Sequence, residues 1–337
     1  MKNSNQISTI GIDLSKNIFQ IHAQDIRGKV VVRKKLNRSK LLEFIVNIPA
    51  CTIAMEACGG AHNWARKIKA LGHEVRIIAP KFVKPYVTGN KDDQADAAAI
   101  AEAATKPDMR FVAVKEELQQ EMSMIHTVRE QLVKQRTATR NSVRGMLAEY
   151  GIIYARGWSS LRKGIVDVLS EDSDRLPIVK NLIAMRFQDL LRMDEEVDVC
   201  DLKIQQWCKE DMRCRNLLKI DGIGPITATA IVAHMGSPEV FKNGRHFAAY
   251  LGLVPKHVGT GGKTRMLGIS KRGDSYIRKL LVHGARSVVS QSEERKDKLG
   301  KWLRSLVDRR GFNKTTVALA NKNARLCWAM LKYGSLT

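Results

Sequence analysis

The sequence predicts an α/β domain at the N-terminal side, then a helical, coiled-coil-like middle and a mainly helical C-terminal domain. Three observations predict it. Short β-branched runs alternate with helically spaced segments over roughly the first 80 residues. Two long stretches then repeat apolar residues every three or four positions, the period of packed helices. From about Cys214 the chain changes to apolar helical runs punctuated by glycine, followed by a segment rich in glycine and lysine. The implied boundaries are 1–115, 116–212 and 213–337.

The elements follow in order. "QISTIGID" reads as a short apolar strand ending at Asp13. "IFQIHAQD" and "KVVVRKKL" are β-branched or aromatic-rich runs separated by the turn Asp25–Gly28, so the first three strands form an antiparallel meander. Ser39–Ile48 has helical spacing, "CTIAME" is a strand ending at Glu56, and Ala61–Leu71 is a helix. "HEVRIIAP" is a strand stopped by Pro80. The order β-β-β-α-β-α-β is that of an RNase H-like fold.

An alanine-rich helix opens within "GNKDDQADAAAIAEAA". Leu118, Met122, Ile125, Val128 and Leu132 then keep helical spacing, as do Leu190, Met193, Val197, Cys200, Ile204 and Trp207. Arg129, Lys134, Arg136, Arg140 and Arg144 decorate the first stretch, either as solvated helix charges or as a stripe facing nucleic acid. The segment Gly151–Pro177 between them reads as irregular. Further on, "LLKIDGIGPITATAIVAHMG" sets a Gly-Ile-Gly turn between two helical runs. "GLVPKHVGTGGKTRMLGISKRGDSYIRKLL" reads as a loop, and a basic helical segment closes the chain.

The charge is lopsided. Lys and Arg number 57 against 34 Asp and Glu, a formal net charge of +23. An excess of that size points to a polyanionic partner. No apolar run approaches the roughly 18–20 residues of a membrane span, and the N-terminus shows no apolar signal-peptide core. The six cysteines, Cys51, Cys58, Cys200, Cys208, Cys214 and Cys327, show no CxxC pairing. That speaks against a zinc ribbon or a disulfide scaffold, and a reducing cytoplasm is the simple expectation.

Four acids carry the chemistry. Asp13 and Glu56 end strands that are neighbours in an RNase H-like sheet, so their carboxylates meet at one edge. Asp93 and Asp96 stand three residues apart on one face of a helix start. Such a set repels itself unless a hard divalent cation neutralises it, and Mg²⁺ is the usual choice for phosphate chemistry. Each acid alone has an ordinary explanation, because strand ends and first helical turns commonly carry acids. Asp92 is then a cap or a bystander.

The turn "KIDGIGPITA" resembles a helix-hairpin-helix element. Gly222 and Gly224 permit the tight turn, Lys219 flanks it, and the following helix offers free N–H groups to a phosphate oxygen. Such contacts position DNA without reading its sequence. An ordinary turn between two helices is the alternative.

"GIDLSK", "AMEACGG", "NKDDQADA", "IDGIGPITA", "LGLVP" and "GISKRGDSYIRKLL", in this order, resemble the DEDD insertion-sequence transposases, the IS-one-ten and IS-eleven-eleven group related to site-specific DNA invertases. The match covers nearly the whole chain. It implies a RuvC-like N-terminal domain with Asp13, Glu56, Asp93 and Asp96 as its metal-holding acids. It also implies excision and insertion of double-stranded DNA, guidance by a structured bridge RNA, and a dimer or tetramer with composite active sites. The expected place of work is the bacterial cytoplasm, at the nucleoid. The family's C-terminal domain supplies a serine nucleophile in the loop after "GLxP", just before a glycine. Here the matching position is Thr260, preceded by Gly259, a departure from the family pattern. The nearest serine downstream is Ser270. The nucleophile is Thr260, or Ser270 if the loop register differs, or it is absent. A threonine hydroxyl is more crowded at phosphorus, since its methyl restricts χ1. Lys263, Arg265, Lys271, Arg272 and Arg278 crowd the segment, suited to a developing charge or to plain phosphate contacts.

Three other classes compete. A junction-resolving nuclease uses the same acids with water. A kinase or actin-like ATPase shares "GIDLSK", but no later glycine-rich adenosine segment follows. A non-catalytic nucleic-acid-binding protein needs none of the acids.

Overall fold

The computed structural model describes residues 7–88, 92–170, 177–261 and 263–334. It divides into two compact units, Met1–Glu117 with Met235–Lys242, and Leu118–His234 with Asn243–Thr337. The motif residues Gly89, Asn90 and Lys91, and the side chain of Thr260, lie outside the described residues.

The first unit is built on β1 (Thr9–Asp13), β2 (Ile18–Gln24) and β3 (Val30–Asn37), joined as an antiparallel meander. There follow α1 (Leu41–Val46), β4 (Thr52–Glu56), α2 (Ala61–Ala70), β5 (Glu74–Ile78), α3 (Pro80–Val83), α4 (Asp93–Ala104) and β6 (Phe111–Val112). The sheet runs β3-β2-β1-β4-β5-β6, with β1, β4 and β5 mutually parallel. This mixed sheet with helices on its faces is consistent with an RNase H-like domain. Pro80 ends β5 and opens α3 at its first turn, where its missing N–H has no helical partner to lose. The edge strand β6 is unannounced by the sequence, because two residues are too few to show an alternation.

Strand alternation divides the core in two. Ile10, Ile12, Ile53, Met55 and Ile77 pack with Leu41 and Ile45 of α1 and with Trp64, Ala65 and Ile68 of α2. On the opposite face Ala54 and Ile78 pack with Val83 of α3 and with Ala99, Ile100, Ala103 and Ala104 of α4.

The second unit opens with α5 (Glu117–Ala148), α6 (Trp158–Ser170) and α7 (Pro177–Glu210). The basic residues of α5 are not a free stripe. Arg129 pairs with Asp201, and Arg136 and Arg140 both reach Asp194 at 2.6 and 3.0 Å. Arg144 donates to the carbonyl of Gly157 at 2.6 Å. These guanidiniums tie α5 to α7 and to the approach to α6, while Lys134 stays exposed beside Glu130. The segment expected to be irregular contains α6, whose Leu161 and Ile165 pack on Val143, Leu147 and Ile183. Glycines hide it in the sequence. Gly164 sits mid-helix because a Cβ there would stand 2.3 Å from the ring of Tyr154.

The rest of the unit is α8 (Met212–Leu217), α9 (Pro225–Met235), α10 (Gly244–Tyr250), β7 (Pro255–Thr260), β8 (Lys263–Ile269), α11 (Ser275–Ser290), α12 (Lys298–Arg310) and α13 (Phe312–Tyr333). The segment expected to be a loop is thus largely a β-hairpin, with Val258 opposite Arg265 and Thr260 opposite Lys263. Among the described side chains its strands show no buried face to impose alternation; Val258 and Met266 are 49% and 65% exposed. Across the described residues no helix is long and apolar enough to cross a membrane.

Candidate active site

Asp13 closes β1 and Glu56 closes β4. The two strands pair in parallel with Ile12 beside Met55, so the two acids follow side by side at one edge. The period of two puts Asp13 on the same face as Gly11, and Glu56 on the same face as Ala54. That is the face α4 covers. Gly11 explains how closely: a Cβ there would stand 2.2 Å from the carbonyl oxygen of Ala97 and 2.5 Å from the amide nitrogen of Ala101. The helix backbone therefore lies directly on β1, which the alanines of α4 permit. Asp92 caps α4, its carboxylate accepting from the Gln94 amide at 3.3 Å. Asp93 and Asp96 occupy the first turn, just before the residues that meet Gly11, Ala97 and Ala101.

Electrostatics shows that the four acids share one field. The Asp13 carboxyl is held above its ordinary range by burial, then by Asp96 and Asp93. Glu56 is raised by burial, then by Asp13 and Asp96. Cys58 also belongs here: burial, Glu56 and Asp13 push its thiol up. Its place in "AMEACGG", two residues past Glu56, is the signal that sequence reading left unused. The donor set is all oxygen, which fits a hard divalent cation rather than a soft metal. Among the described residues no three such side chains already stand close enough to hold an ion.

In the second unit the motifs "LGLVP" and "SKRGD" meet backbone to backbone. Ser270 N–H donates to Val254 at 2.8 Å and Lys271 N–H to Gly252 at 3.1 Å. A Cβ on Gly252 would stand 2.3 Å from the Arg272 carbonyl oxygen, and one on Gly273 1.8 Å from that of Tyr250. Ser270 is half-buried where β8 leaves the hairpin, its Oγ near the Arg272 N–H at 3.5 Å. Thr260 ends β7 at the hairpin tip. Lys263, Arg265, Lys271 and Arg272 are exposed. Arg278 is not: it donates to the carbonyls of Leu251 and Arg272 at 2.9 and 3.0 Å and so clamps this junction.

The Gly-Ile-Gly turn joins α8 to α9. Gly222 has φ of 84° and a second duty, since a Cβ there would meet the Gly284 carbonyl of α11 at 2.8 Å. Gly224 faces open space. Lys219 is exposed and reaches Asn216 at 3.1 Å.

Comparison with known proteins decides the family. Residues 10–152 match the family model of DEDD transposases, and residues 214–299 match the transposase IS116/IS110/IS902 family. The chain belongs to the IS110 family of transposases. A probable family 20 transposase of Pseudomonas aeruginosa is 45% identical over 96% of this chain and 97% of its own length. The transposase for insertion sequence element IS1111A of Coxiella burnetii is 38% identical over 96% of this chain and 90% of its own. The transposase for IS1328 of Yersinia enterocolitica is 38% identical over 98% of both. The IS110-family transposase is thus an enzyme that acts on DNA. The first match spans all four acids, and the second spans the Gly-Ile-Gly turn, the hairpin and Ser270. A DEDD transposase implies a divalent metal, and the acids of this site suit one.

Proposed function

We propose that this transposase cuts and rejoins double-stranded DNA at the ends of its insertion sequence by hydroxyl attack on phosphorus, with Mg²⁺ held by Asp13, Glu56, Asp93 and Asp96 in a RuvC-like site. The observation that carries this is geometric: Asp13 and Glu56 close the paired strands β1 and β4, and α4, with Asp93 and Asp96 in its first turn, lies directly on β1. When bound, Mg²⁺ supplies positive charge beside the phosphate and beside the departing oxygen. The chain's own residues do the rest. The hydroxyl of Thr260 or Ser270 loses its proton, its oxygen bonds to phosphorus, and the bond from phosphorus to one strand end breaks. That strand end leaves on oxygen and takes a proton, while the other stays on the protein until the reverse step rejoins it. Lys263, Arg265, Lys271 and Arg272 face the phosphates; Arg278 positions their loop. Ser270 is supported by its anchored, half-buried place, and Thr260 by its match to the family's serine position.

The wider reading includes a structured guide RNA, a dimer or tetramer assembled through coiled-coil-like α5 and α7, and a helix-hairpin-helix contact at Lys219, Gly222 and Gly224. The deciding experiment traps the protein on a nicked element end with Mg²⁺ and maps the adduct by peptide mass spectrometry. An adduct on Thr260 or Ser270, lost in Asp13→Asn and Glu56→Gln, is the expected result. Clean hydrolytic cuts without an adduct would instead select a resolvase using water. Recombination untouched in both acid variants would remove the catalytic reading altogether.

A further inference from the structure

A groove of about 640 Å³ lies between α10, α12 and α13, apart from the hairpin and its loop. Trp302 of α12 and Trp328 of α13 supply its aromatic lining, and Arg245, Lys322 and Arg325 its charge. No acid lines it. The arrangement has a local cause. Gly244 at the start of α10 lets that helix lie against α13, since a Cβ there would stand only 3.0 Å from the Arg325 carbonyl oxygen. The exposed Arg245 and Arg325 line the same groove. Neither the Arg245 nor the Arg325 side chain has a hydrogen bond or ion pair among the described residues. Lys322 places its ammonium 5.0 Å from the centre of the Trp302 ring. The surrounding helix continues the charge: α13 carries Lys314, Lys322, Arg325 and Lys332 and no Asp or Glu.

Unpaired cations around a half-buried indole are the parts of a single-strand nucleic-acid platform. Every base has a π-face that stacks on tryptophan, and every phosphate suits a guanidinium. A duplex hides its bases and offers phosphates alone, so it makes no use of Trp302. An exposed cation–π pair is weak. The Lys322 ammonium can therefore leave the indole for a phosphate as a base takes its place. We propose that this groove binds an unpaired stretch of nucleic acid, one base on Trp302 and the neighbouring phosphates on Arg245, Arg325 and Lys322. The proposal rests on the nucleic-acid reading above and adds a site to it, away from the acids.

The test is fluorescence anisotropy of the full chain with labelled ten-nucleotide oligomers of uridine and of thymidine and a duplex of equal length, without divalent cation. Trp302→Ala should weaken both single strands by about five- to a hundredfold, the range of one lost stacking contact. Trp302→Phe should restore most of it, and the duplex should change less than about twofold. Arg325→Glu, at an exposed position, should weaken single strands without altering the melting temperature. It keeps the test decisive if Trp302→Ala fails to fold. Tighter binding of uridine assigns the site to RNA, and equal binding to either strand type; both support it. Single-strand affinity unchanged in Trp302→Ala and Arg325→Glu, or lost in parallel with duplex affinity, overturns it. Asp13→Asn should bind like the wild type, so a failure of the catalytic reading leaves this result legible.

Discussion

Asp13 carries a carboxyl raised by burial, by Asp96 and by Asp93, and Glu56 is raised by burial, by Asp13 and by Asp96. A folded-state pKa above the unfolded one means that the charged form opposes folding. The strain is absent at low pH and grows as pH rises through the unfolded value. A divalent cation removes it. Adding Mg²⁺ at neutral pH should therefore raise the melting temperature, by about 2.7 kcal/mol of stability at a hundred times Kd. Asp13→Asn should melt ~1–3 °C higher than the wild type without metal, respond less to Mg²⁺ and be inactive. An equal Mg²⁺ shift in wild type and variant would remove Asp13 from the cation site. His126 titrates in the opposite sense. Its Nε2 lies 3.0 Å from the Thr229 hydroxyl, which donates onward to the Pro225 carbonyl at 2.7 Å. Its Nδ1 lies 3.0 Å from the Tyr276 hydroxyl. Burial, then His234 and Arg129, push its pKa down to about 3. The ring is thus neutral, with Nε2 donating and Nδ1 accepting, and it joins α5, α9 and α11. Between pH 6.5 and 3 the unfolded chain binds a proton there that the folded chain does not. Stability should fall by about 1.4 kcal/mol per pH unit across that window, and thermal melts of His126→Gln should show a shallower slope.

The contact between β1 and α4 decides whether the acids meet. Gly11→Ala would thrust a methyl into the Ala97 carbonyl 2.2 Å away. It should destabilise the chain by roughly 1–3 kcal/mol. The same displacement moves Asp93 and Asp96 from Asp13, so activity should fall further than the lost stability explains. Urea titration beside an excision assay separates the two, and wild-type activity at reduced stability would show that α4 need not sit so close. The requirement is invisible in the sequence, where Gly11 is one glycine in a strand and its partner lies 86 residues on. The positions of the acids were legible, because strand ends and first helical turns are set by local pattern and the element order says which ends adjoin. The hairpin was not legible, since Gly259, Gly261 and Gly268 break an alternation that no core enforces. Nor was α6, whose flanking and internal glycines read as a loop until the packing of Tyr154 on Gly164 accounts for them. Arg278 read as a phosphate ligand because clamping a loop and binding DNA call for the same donors.

At the scale of the molecule, a net charge of +23 does not say which cations meet DNA. The structure separates ion-paired cations from exposed ones. Arg129 is ion-paired with Asp201, and Arg136 and Arg140 with Asp194, and these pairs hold α5 to α7. Lys263, Arg265, Lys271 and Arg272 are exposed, with no ion-pair partner among the described residues. Counterion release makes the difference measurable, because each phosphate neutralised contributes about 0.9 to the slope of log affinity against log salt. Replacing Lys271 or Arg272 by Ala should flatten that slope by about one each and weaken all duplex sequences alike. The melting temperature should not move. Arg129→Ala should do the reverse, leaving the slope unchanged and costing roughly 1–3 kcal/mol by stranding Asp201 in a half-buried site. Binding at several salt concentrations and thermal melts on the same preparations read both quantities. If Arg129→Ala flattened the slope and Lys271→Ala did not, the long helices and not the hairpin loop would be the DNA face.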